Sequence, residues 1–216
     1  MSTFRNDLQL PPAFALDYEA LLSNPSAESV TDLSLFLRKD LPSKWCELYT
    51  FAVGRPTNII RFQHRTFEYS YDLYSGIGAM GEVPYDQTVE DRVVAVFGTS
   101  ADPEESQTGR HGRSWLGEQN DLIGANRDKG HFIARCIGGG FNLNVFSQDR
   151  HLNRGWSSQG KTYREMERHC QDHPGTFCFS RPIYADGSSV PRWIEFGILK
   201  KDESLWVEVF DNLPQF

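Results

Sequence analysis

The sequence predicts an α+β protein whose sheet is mixed or antiparallel. Segments 59–63 and 66–71 alternate polar and β-forming residues, which indicates two neighbouring strands, and the continuous apolar run 93–97 indicates a buried strand. Segments 193–199 and 205–210 have the same β-rich character and are joined by a short polar turn. Helical patterns elsewhere in the chain supply the α component of this class.

The 216 residues are enough for one domain, or for one domain with a small appendage. We expect a partly helical, acidic N-terminal segment at 1–57, acting as an adaptor or a cap, and the main domain at 58–216. Within the N-terminal segment, Ser29 or Thr31 is the expected N-cap of one helix, and 43–51 is expected to form a second helix.

The chain carries a formal net charge of −7, which by itself argues against a nucleic-acid partner. The acidic residues are concentrated in 1–124, with 18 Asp and Glu against 10 Lys and Arg. Residues 125–171 reverse this balance, with 8 Lys and Arg against 4 Asp and Glu. Because affinity for nucleic acid depends on local phosphate contacts, this basic stretch is compatible with a phosphate-bearing ligand.

The sequence also bears on compartment and redox chemistry. No apolar run approaches the length of a membrane span, so no membrane partner is expected. The N-terminus lacks a basic start followed by a long apolar core, which predicts no general secretory signal. We therefore expect a cytoplasmic protein, or one exported by a specialised secretion system. The four cysteines have no CxxC spacing and are expected to be buried thiols, with a zinc site as the alternative use of Cys170, His173 and Cys178.

The stretch 128–171 is unusually rich in polar residues placed beside apolar ones. It predicts a short strand at 132–135, a glycine loop at 138–140, an extended segment at 142–146 and a helix at 161–171. The apolar side of that helix is formed by residues at helical spacing, namely Tyr163, Met166 and Cys170. The order is strand, loop, extended segment and helix.

A lone histidine with amides and an acid nearby suits metal-assisted hydrolysis. His131 would take a proton from water, because the unperturbed pKa of histidine lies near neutrality. Asn153 would hold a hard cation, Mg²⁺ or Mn²⁺, through its amide oxygen, and a substrate phosphate would complete the coordination. Four cationic side chains are the candidates for phosphate contacts: Lys129, Arg135, Arg154 and Lys161.

Taken in order, these residues resemble the DNA/RNA non-specific endonuclease family of the ββα-metal, or His-Me finger, superfamily, in particular its branch common among bacterial nuclease toxins. The family pattern is an Asp-x-Gly-His block, a Gly-Gly loop, an Asn-x3-Gln segment, an Asn-Arg-Gly step, and a helix in which an aromatic residue precedes Glu. The corresponding residues are Asp128–His131, Gly138–Gly140, Asn144 with Gln148, Asn153–Gly155, and Tyr163 with Glu167. The residue after the aspartate is often Arg in the family, whereas Lys129 keeps the charge but lacks the planar fork.

The resemblance implies a ββα-metal finger in which His131 is the general base and Asn153 is the direct metal ligand. It also implies that Glu167 supports water at the metal and that Asn144 and Gln148 order the site. The implied activity is hydrolysis of DNA, with RNA as a further substrate, and with little sequence preference. Many relatives are antibacterial effector toxins neutralised by a cognate immunity protein, so that role and that partner are implied here. A housekeeping or scavenging nuclease is the alternative role.

Each of these residues also has a purely structural interpretation. His131 would be a hydrogen-bonded structural histidine, and Asn153 a turn or capping residue. Glu167 would be a helix acid paired with Arg164. Loop backbone groups would be the partners of the two amides, Asn144 and Gln148. For the protein as a whole, the alternative is a non-catalytic protein- or nucleic-acid-binding module on the same fold, which would bind without cleaving in the presence or absence of Mg²⁺.

Overall fold

A six-stranded antiparallel sheet forms the centre of the molecule, and the expected α+β class is confirmed. The computed structural model describes residues 10–23, 32–76, 86, 88–103, 126–140 and 142–213. The helices of the described residues, in chain order, are α1 (Tyr18–Leu22), α2 (Leu33–Val53), α3 (Arg150–Asn153) and α4 (Ser158–Asp172). The strands are β1 (Ile59–His64), β2 (Phe67–Asp72), β3 (Arg92–Thr99), β4 (Arg127–His131), β5 (Val145–Asp149), β6 (Phe177–Ile183), β7 (Trp193–Leu199) and β8 (Leu205–Asp211). None of the helices in the described part of the chain is both long and apolar enough to cross a membrane.

The large sheet has the strand order β1-β2-β3-β6-β7-β8, and every neighbouring pair in it is antiparallel. Strand β3 lies inside this order and is covered on both faces, which explains why its sequence is a continuous apolar run rather than an alternating one. Ala95 and Phe97 pack into one core cluster, whereas Val93 and Val96 pack into another. Val93 and Val96 share a side because the pairing of β2 with β3 shifts register beside Val94.

Helix α2 covers one face of the sheet and is a single helix, so the expected break into two helices is wrong. Its N-cap is Asp32, whose carboxylate accepts hydrogen bonds from the backbone N–H groups of Ser34 and Leu35. Pro42 lies inside the helix with its side chain buried, so packing against the sheet keeps the helix continuous across this residue. The helix ends at Gly54, which adopts the left-handed conformation.

The first described residues are anchored to the same face through buried polar contacts. The Tyr18 hydroxyl donates to the Glu195 carboxylate at 2.6 Å, and the Arg181 guanidinium donates to the same carboxylate at 2.7 Å. Arg181 also donates to the carbonyl of Phe14 at 2.7 Å. The N-terminal part therefore shares a core with the sheet, and the division into units at residue 57 stays a prediction.

The opposite face of the sheet carries the β4–β5 ribbon, helix α3 and helix α4. The side of α4 formed by Tyr163, Met166 and Cys170 is buried, as expected from the sequence. Tyr163 packs on the sheet through Phe196 and Phe210, with ring centroids 5.5 and 5.0 Å away. These contacts fix α4 on the sheet that supports the ribbon.

The first ribbon strand lies earlier in the chain than the sequence predicts. Strand β4 ends at His131, and the segment 132–135 that was expected to be extended instead bends into a 3-10 turn at Arg135–Ile137. The bend is fixed because Ile133 makes its backbone hydrogen bonds with the side chain of Asn144 and not with a neighbouring strand. His131 therefore lies at the end of a strand, where the chain turns away.

We expect Trp45→Ala to lower the free energy of unfolding by about 3–5 kcal/mol. The substitution removes a large buried side chain and leaves a cavity that the surrounding sheet residues cannot fill. Trp45 is fully buried, with its ring 4.8 Å from Phe179 and 5.8 Å from Phe97. Urea unfolding followed by circular dichroism measures the change. Phe51→Ala on the same helix is the matched control, since Phe51 is 77% exposed and its loss should stay within about 0.5 kcal/mol. Equal effects of the two substitutions would contradict this packing of α2.

Candidate active site

The β4–β5 ribbon holds three of the predicted site residues, Lys129, His131 and Gln148, at fixed positions. Its antiparallel register places Asp128 opposite Gln148 and His131 opposite Val145. Gly130 is buried directly beneath the Gln148 side chain, and a Cβ at this position would overlap that side chain. The glycine before His131 is therefore required by close packing across the ribbon.

His131 ends β4 and is half-buried. Burial lowers the pKa of its imidazole to about 4, and the positive charge of Arg135 acts in the same direction. The Tyr163 hydroxyl donates to the His131 backbone carbonyl at 3.3 Å, which ties the end of the strand to α4. The ring is consequently neutral at physiological pH and has a nitrogen that is able to accept a proton.

Asn144 closes the loop that follows His131. It is fully buried, and its amide accepts from the Ile133 N–H at 3.0 Å and donates to the carbonyls of Ile133 and Gly140, both at 2.8 Å. Gly139 lies against the Ile133 carbonyl so closely that a side chain there would overlap it. The glycine loop is thus a tight turn, and Asn144 satisfies its backbone while holding the position of His131.

Gln148 is buried between Gly130 and α4. Within the described residues, its two amide atoms make no hydrogen bond of normal geometry. The Tyr163 hydroxyl is nevertheless its neighbour, and burial keeps the pKa of that hydroxyl well above its ordinary value, so Tyr163 remains a donor. Gln148 therefore contributes to the interior of the ribbon, where its side chain packs on Gly130 next to His131.

Asp128 joins the ribbon to α3 through its carboxylate. Arg154 donates to both of its oxygens, at 2.6 and 3.1 Å, and Arg150 donates to one at 3.1 Å. The Asn153 amide nitrogen donates to Asp128 at 3.2 Å. Burial raises the pKa of Asp128, but these hydrogen bonds outweigh burial and leave the pKa below its ordinary value.

The contact with Asp128 decides which way the Asn153 amide points. An ionised carboxylate only accepts hydrogen bonds, so the Asn153 atom that faces it must be the nitrogen. The Asn153 side-chain oxygen is left on the other side, and among the described residues it accepts no hydrogen bond. A free amide oxygen at a half-buried position is a suitable ligand for a hard cation.

Glu167 lies on the buried side of α4, where 7% of its surface is exposed. Burial raises the pKa of its carboxyl to about 7, against the opposing effect of Arg164, whose guanidinium lies 3.0 Å away. The helical ion pair expected from the structural interpretation is therefore present. It does not exclude a role in the site, because a carboxyl with a pKa near neutrality both gives and takes protons at physiological pH.

Helices α3 and α4 pack closely at the end of α3, just after Asn153. A Cβ at Gly160 would overlap the carbonyls of His151 and Leu152 in α3. Gly155 lies against the Arg164 side chain, and Arg164 is the partner of Glu167. The end of α3 therefore adjoins α4 at Gly160 and at Arg164, the partner of Glu167.

The available donors fit a magnesium-type ion better than a zinc ion. Hard cations prefer oxygen ligands and tolerate a site in which one or two side chains are completed by water and phosphate. The Asn153 amide oxygen and the Glu167 carboxylate are ligands of this kind. No cluster of three or more His, Cys, Asp or Glu side chains suited to a metal occurs in the described part of the chain. Cys170 and Cys178 are buried free thiols in the core under α4, and His173 is engaged with the backbone carbonyl of His169.

The four expected phosphate-binding cations all lie at the surface of this region. Lys129 is exposed on β4, Arg135 is exposed in the turn after His131, and Lys161 is exposed in the first turn of α4. Arg154 is also exposed, but its guanidinium is engaged with Asp128. Arg154 therefore holds α3 in place, whereas Lys129, Arg135 and Lys161 are exposed cations on the elements of this region.

Sequence reasoning gave no role to the carboxylate of Asp128, although a signal for one was present. Arg150 and Arg154 are spaced four residues apart, which places them on one side of a helical turn and predicts a shared acidic partner. Trp156 belongs to none of the sequence motifs, yet it is an exposed aromatic residue beside α3. The sequence does not show which acidic residue is the partner of the two arginines, because Asp128 lies in a different element.

Comparison with known proteins adds a distant structural similarity. No protein-family model matches the chain, and no curated protein sequence matches it. Among solved structures, the chain is similar to one described as the Sda1 nuclease with bound zinc ion, at 13% sequence identity and a TM-score of 0.37. The similarity covers 73% of this chain and 76% of that chain. At this identity and score, any functional argument rests on the geometry of the site itself.

We expect Glu167→Gln to stabilise the protein above pH 7 and to have little effect near pH 4.5. The folded-state pKa of about 7 lies above the ordinary value of 4.5, so folding favours the protonated carboxyl, and its contribution is lost as the pH rises through 7. At full ionisation the difference corresponds to roughly 2–4 kcal/mol. Urea unfolding at pH 5 and pH 8 measures it.

Comparing the variant with the unmodified protein at each pH cancels the contributions of other titrating groups. Glu165→Gln is the matched control, because Glu165 is exposed on the same helix and should show no such dependence. A stability difference that is the same at both pH values would show that the Glu167 carboxyl is not perturbed by burial.

Proposed function

We propose that the protein is a metal-dependent endonuclease that hydrolyses DNA, and also RNA, with little sequence preference. The observation that carries the proposal is the ββα unit, in which a neutral His131 ends one strand while Asp128 of the same strand binds the Asn153 amide nitrogen and leaves the amide oxygen to a cation. A proton acceptor and a cation ligand on one rigid support are the two groups that phosphodiester hydrolysis needs. The basic stretch that surrounds them suits a polyanionic substrate.

In the proposed reaction, His131 takes a proton from the attacking water. Its pKa of about 4 makes it a weak base in the free protein. An approaching phosphate would raise that pKa, because a negative charge near the ring favours the imidazolium form. His131 therefore becomes a stronger base when substrate is present, and the loop closed by Asn144 holds the ring in place for the transfer.

The cation is assigned to Asn153, with Glu167 as the nearby acid, and Mg²⁺ or Mn²⁺ is the ion that these oxygen donors favour. When bound, such an ion stabilises negative charge that develops on the phosphate and on the leaving oxygen. Asp128 acts indirectly by orienting Asn153, and Glu167 is able to exchange protons with water near the site. Lys129, Arg135 and Lys161 are the side chains assigned to flanking phosphates.

We also propose the biological role of an antibacterial effector toxin with a cognate immunity protein as partner. The support is the order of motifs in the sequence from Asp128 to Glu167. The acidic residues 1–57 are the candidate adaptor segment, and their described part packs on the sheet without covering the face that carries the ribbon. Use of the same chemistry in a scavenging nuclease is the alternative role.

We expect His131→Ala to abolish cleavage of supercoiled plasmid in Mg²⁺, because a general base contributes about 10²–10⁴-fold to the rate. The unmodified protein should cleave in Mg²⁺ and not in EDTA, and agarose gels of a time course measure both effects. His169→Ala is the matched control, since His169 lies in the last turn of α4 and should retain activity. Cleavage by the His131 variant would refute the mechanism. Binding without cleavage by the unmodified protein in any condition would favour a non-catalytic module.

We expect Asp128→Asn to raise the Mg²⁺ concentration required for half-maximal cleavage by roughly 10- to 100-fold, since residues that orient a metal ligand have effects of this size on metal affinity. Excess Mg²⁺ should restore most of the rate, because His131 is intact. Plasmid cleavage across a Mg²⁺ titration measures the shift, and Asp172→Asn at the exposed end of α4 is the control. An unchanged Mg²⁺ requirement would show that Asp128 does not orient Asn153.

A further inference from the structure

An exposed tryptophan lies beside the candidate cation ligand. Trp156 follows Asn153 by three residues, and 57% of its surface is exposed. Its backbone N–H donates to the His151 carbonyl at 2.8 Å, so the position of the residue is fixed relative to α3. A single exposed apolar side chain is common on protein surfaces, and what distinguishes Trp156 is its fixed position beside the candidate cation ligand.

Two neighbouring side chains contact the indole ring of Trp156. The Arg154 guanidinium lies over the indole, 5.0 Å from the ring centroid, and the His151 ring meets the indole edge-on at 5.7 Å. Arg154 is itself held by two hydrogen bonds to Asp128. The guanidinium lies over one face of the indole, and the exposed part of the ring is the part that a flat ligand would contact.

We propose that Trp156 is a stacking platform for an unpaired nucleobase next to the scissile phosphate, so that single-stranded nucleic acid is the preferred substrate. The inference rests on the proposed nuclease function. Three residues of chain span at most about 10 Å, so a base on Trp156 belongs to a nucleotide close to the phosphate at Asn153. Stacking on an aromatic ring is independent of base identity, which agrees with little sequence preference.

Duplex DNA would gain little from this contact, because its bases are already stacked and paired. A strand with unpaired bases offers its phosphates to the surface cations and one base face to Trp156. The cation over the far side of the indole strengthens its position without competing for the stacking face. The two contacts together distinguish a single strand from a duplex with the same charge.

The test measures binding of a fluorescein-labelled 12-nucleotide single-stranded DNA of mixed sequence by fluorescence anisotropy. All proteins carry His131→Ala and are kept in EDTA, so that no cleavage occurs. Trp156→Leu should weaken binding roughly 5- to 100-fold, because leucine keeps apolar bulk but cannot stack on a base. Trp156→Phe should bind nearly as well as the tryptophan protein. A strand of the same length and charge built from abasic sugars, and a blunt duplex, should bind equally to all three proteins.

Equal binding of the mixed-sequence strand by the Leu and Trp proteins would overturn the stacking role. Equal weakening on the abasic strand would also overturn it, since the loss would then come from displaced phosphate contacts. Urea unfolding of the variants detects a structural role of Trp156. In that case, Trp156→Leu and Trp156→Phe would lower the free energy of unfolding by similar amounts. The proposed function is judged separately, by plasmid cleavage with the protein that retains His131. If the protein cleaves plasmid but Trp156→Leu binds the strand normally, only the stacking role is refuted. If the protein neither cleaves nor binds nucleic acid, the stacking role and the nuclease function are both refuted.

Discussion

The central sheet is buried on both faces, and this requirement sets where the helices and the ribbon lie. Strand β3 is apolar along its whole length and needs cover on each side, and no single helix provides that. Helix α2 with Trp45 covers one face. The β4–β5 ribbon and α4 cover the other through Phe146 and Tyr163. The candidate site is therefore carried by the second covering layer, and its rigidity comes from core packing that has no direct part in the chemistry.

Within that layer, one carboxylate organises the polar groups. Asp128 collects hydrogen bonds from Arg150, Asn153 and Arg154, so it joins strand β4 to α3 and determines the direction of the Asn153 amide. A low pKa keeps it ionised and able only to accept. The same strand ends three residues later in His131. One short strand thus sets the position of both the candidate base and the candidate cation ligand.

Burial shifts the pKa values of the two titrating groups of the site in opposite directions. It disfavours the charged form in each case, which lowers the pKa of the His131 imidazole and raises that of the Glu167 carboxyl. The His131 ring is therefore uncharged at physiological pH, whereas the Glu167 carboxyl is divided between its neutral and its charged form. The exposed surface nearby is cationic and, at Trp156, aromatic. A basic surface over the site is compatible with a polyanionic substrate.

Elements whose residues carry a local signal are predictable from the sequence. The apolar run of β3, the hairpin of β7 and β8, and the buried side of α4 with Tyr163 were all readable from periodicity. The sequence also indicated the order of candidate residues from Asp128 to Glu167.

The features that depend on distant partners are visible only in the tertiary structure. Pro42 does not interrupt α2, because burial against the sheet outweighs its local preference. Asn144 binds the backbone of a loop, and Asn153 faces Asp128, which only the fold brings within reach. Hydrogen bonds between elements carry no periodicity, so they appear only once the chain has folded.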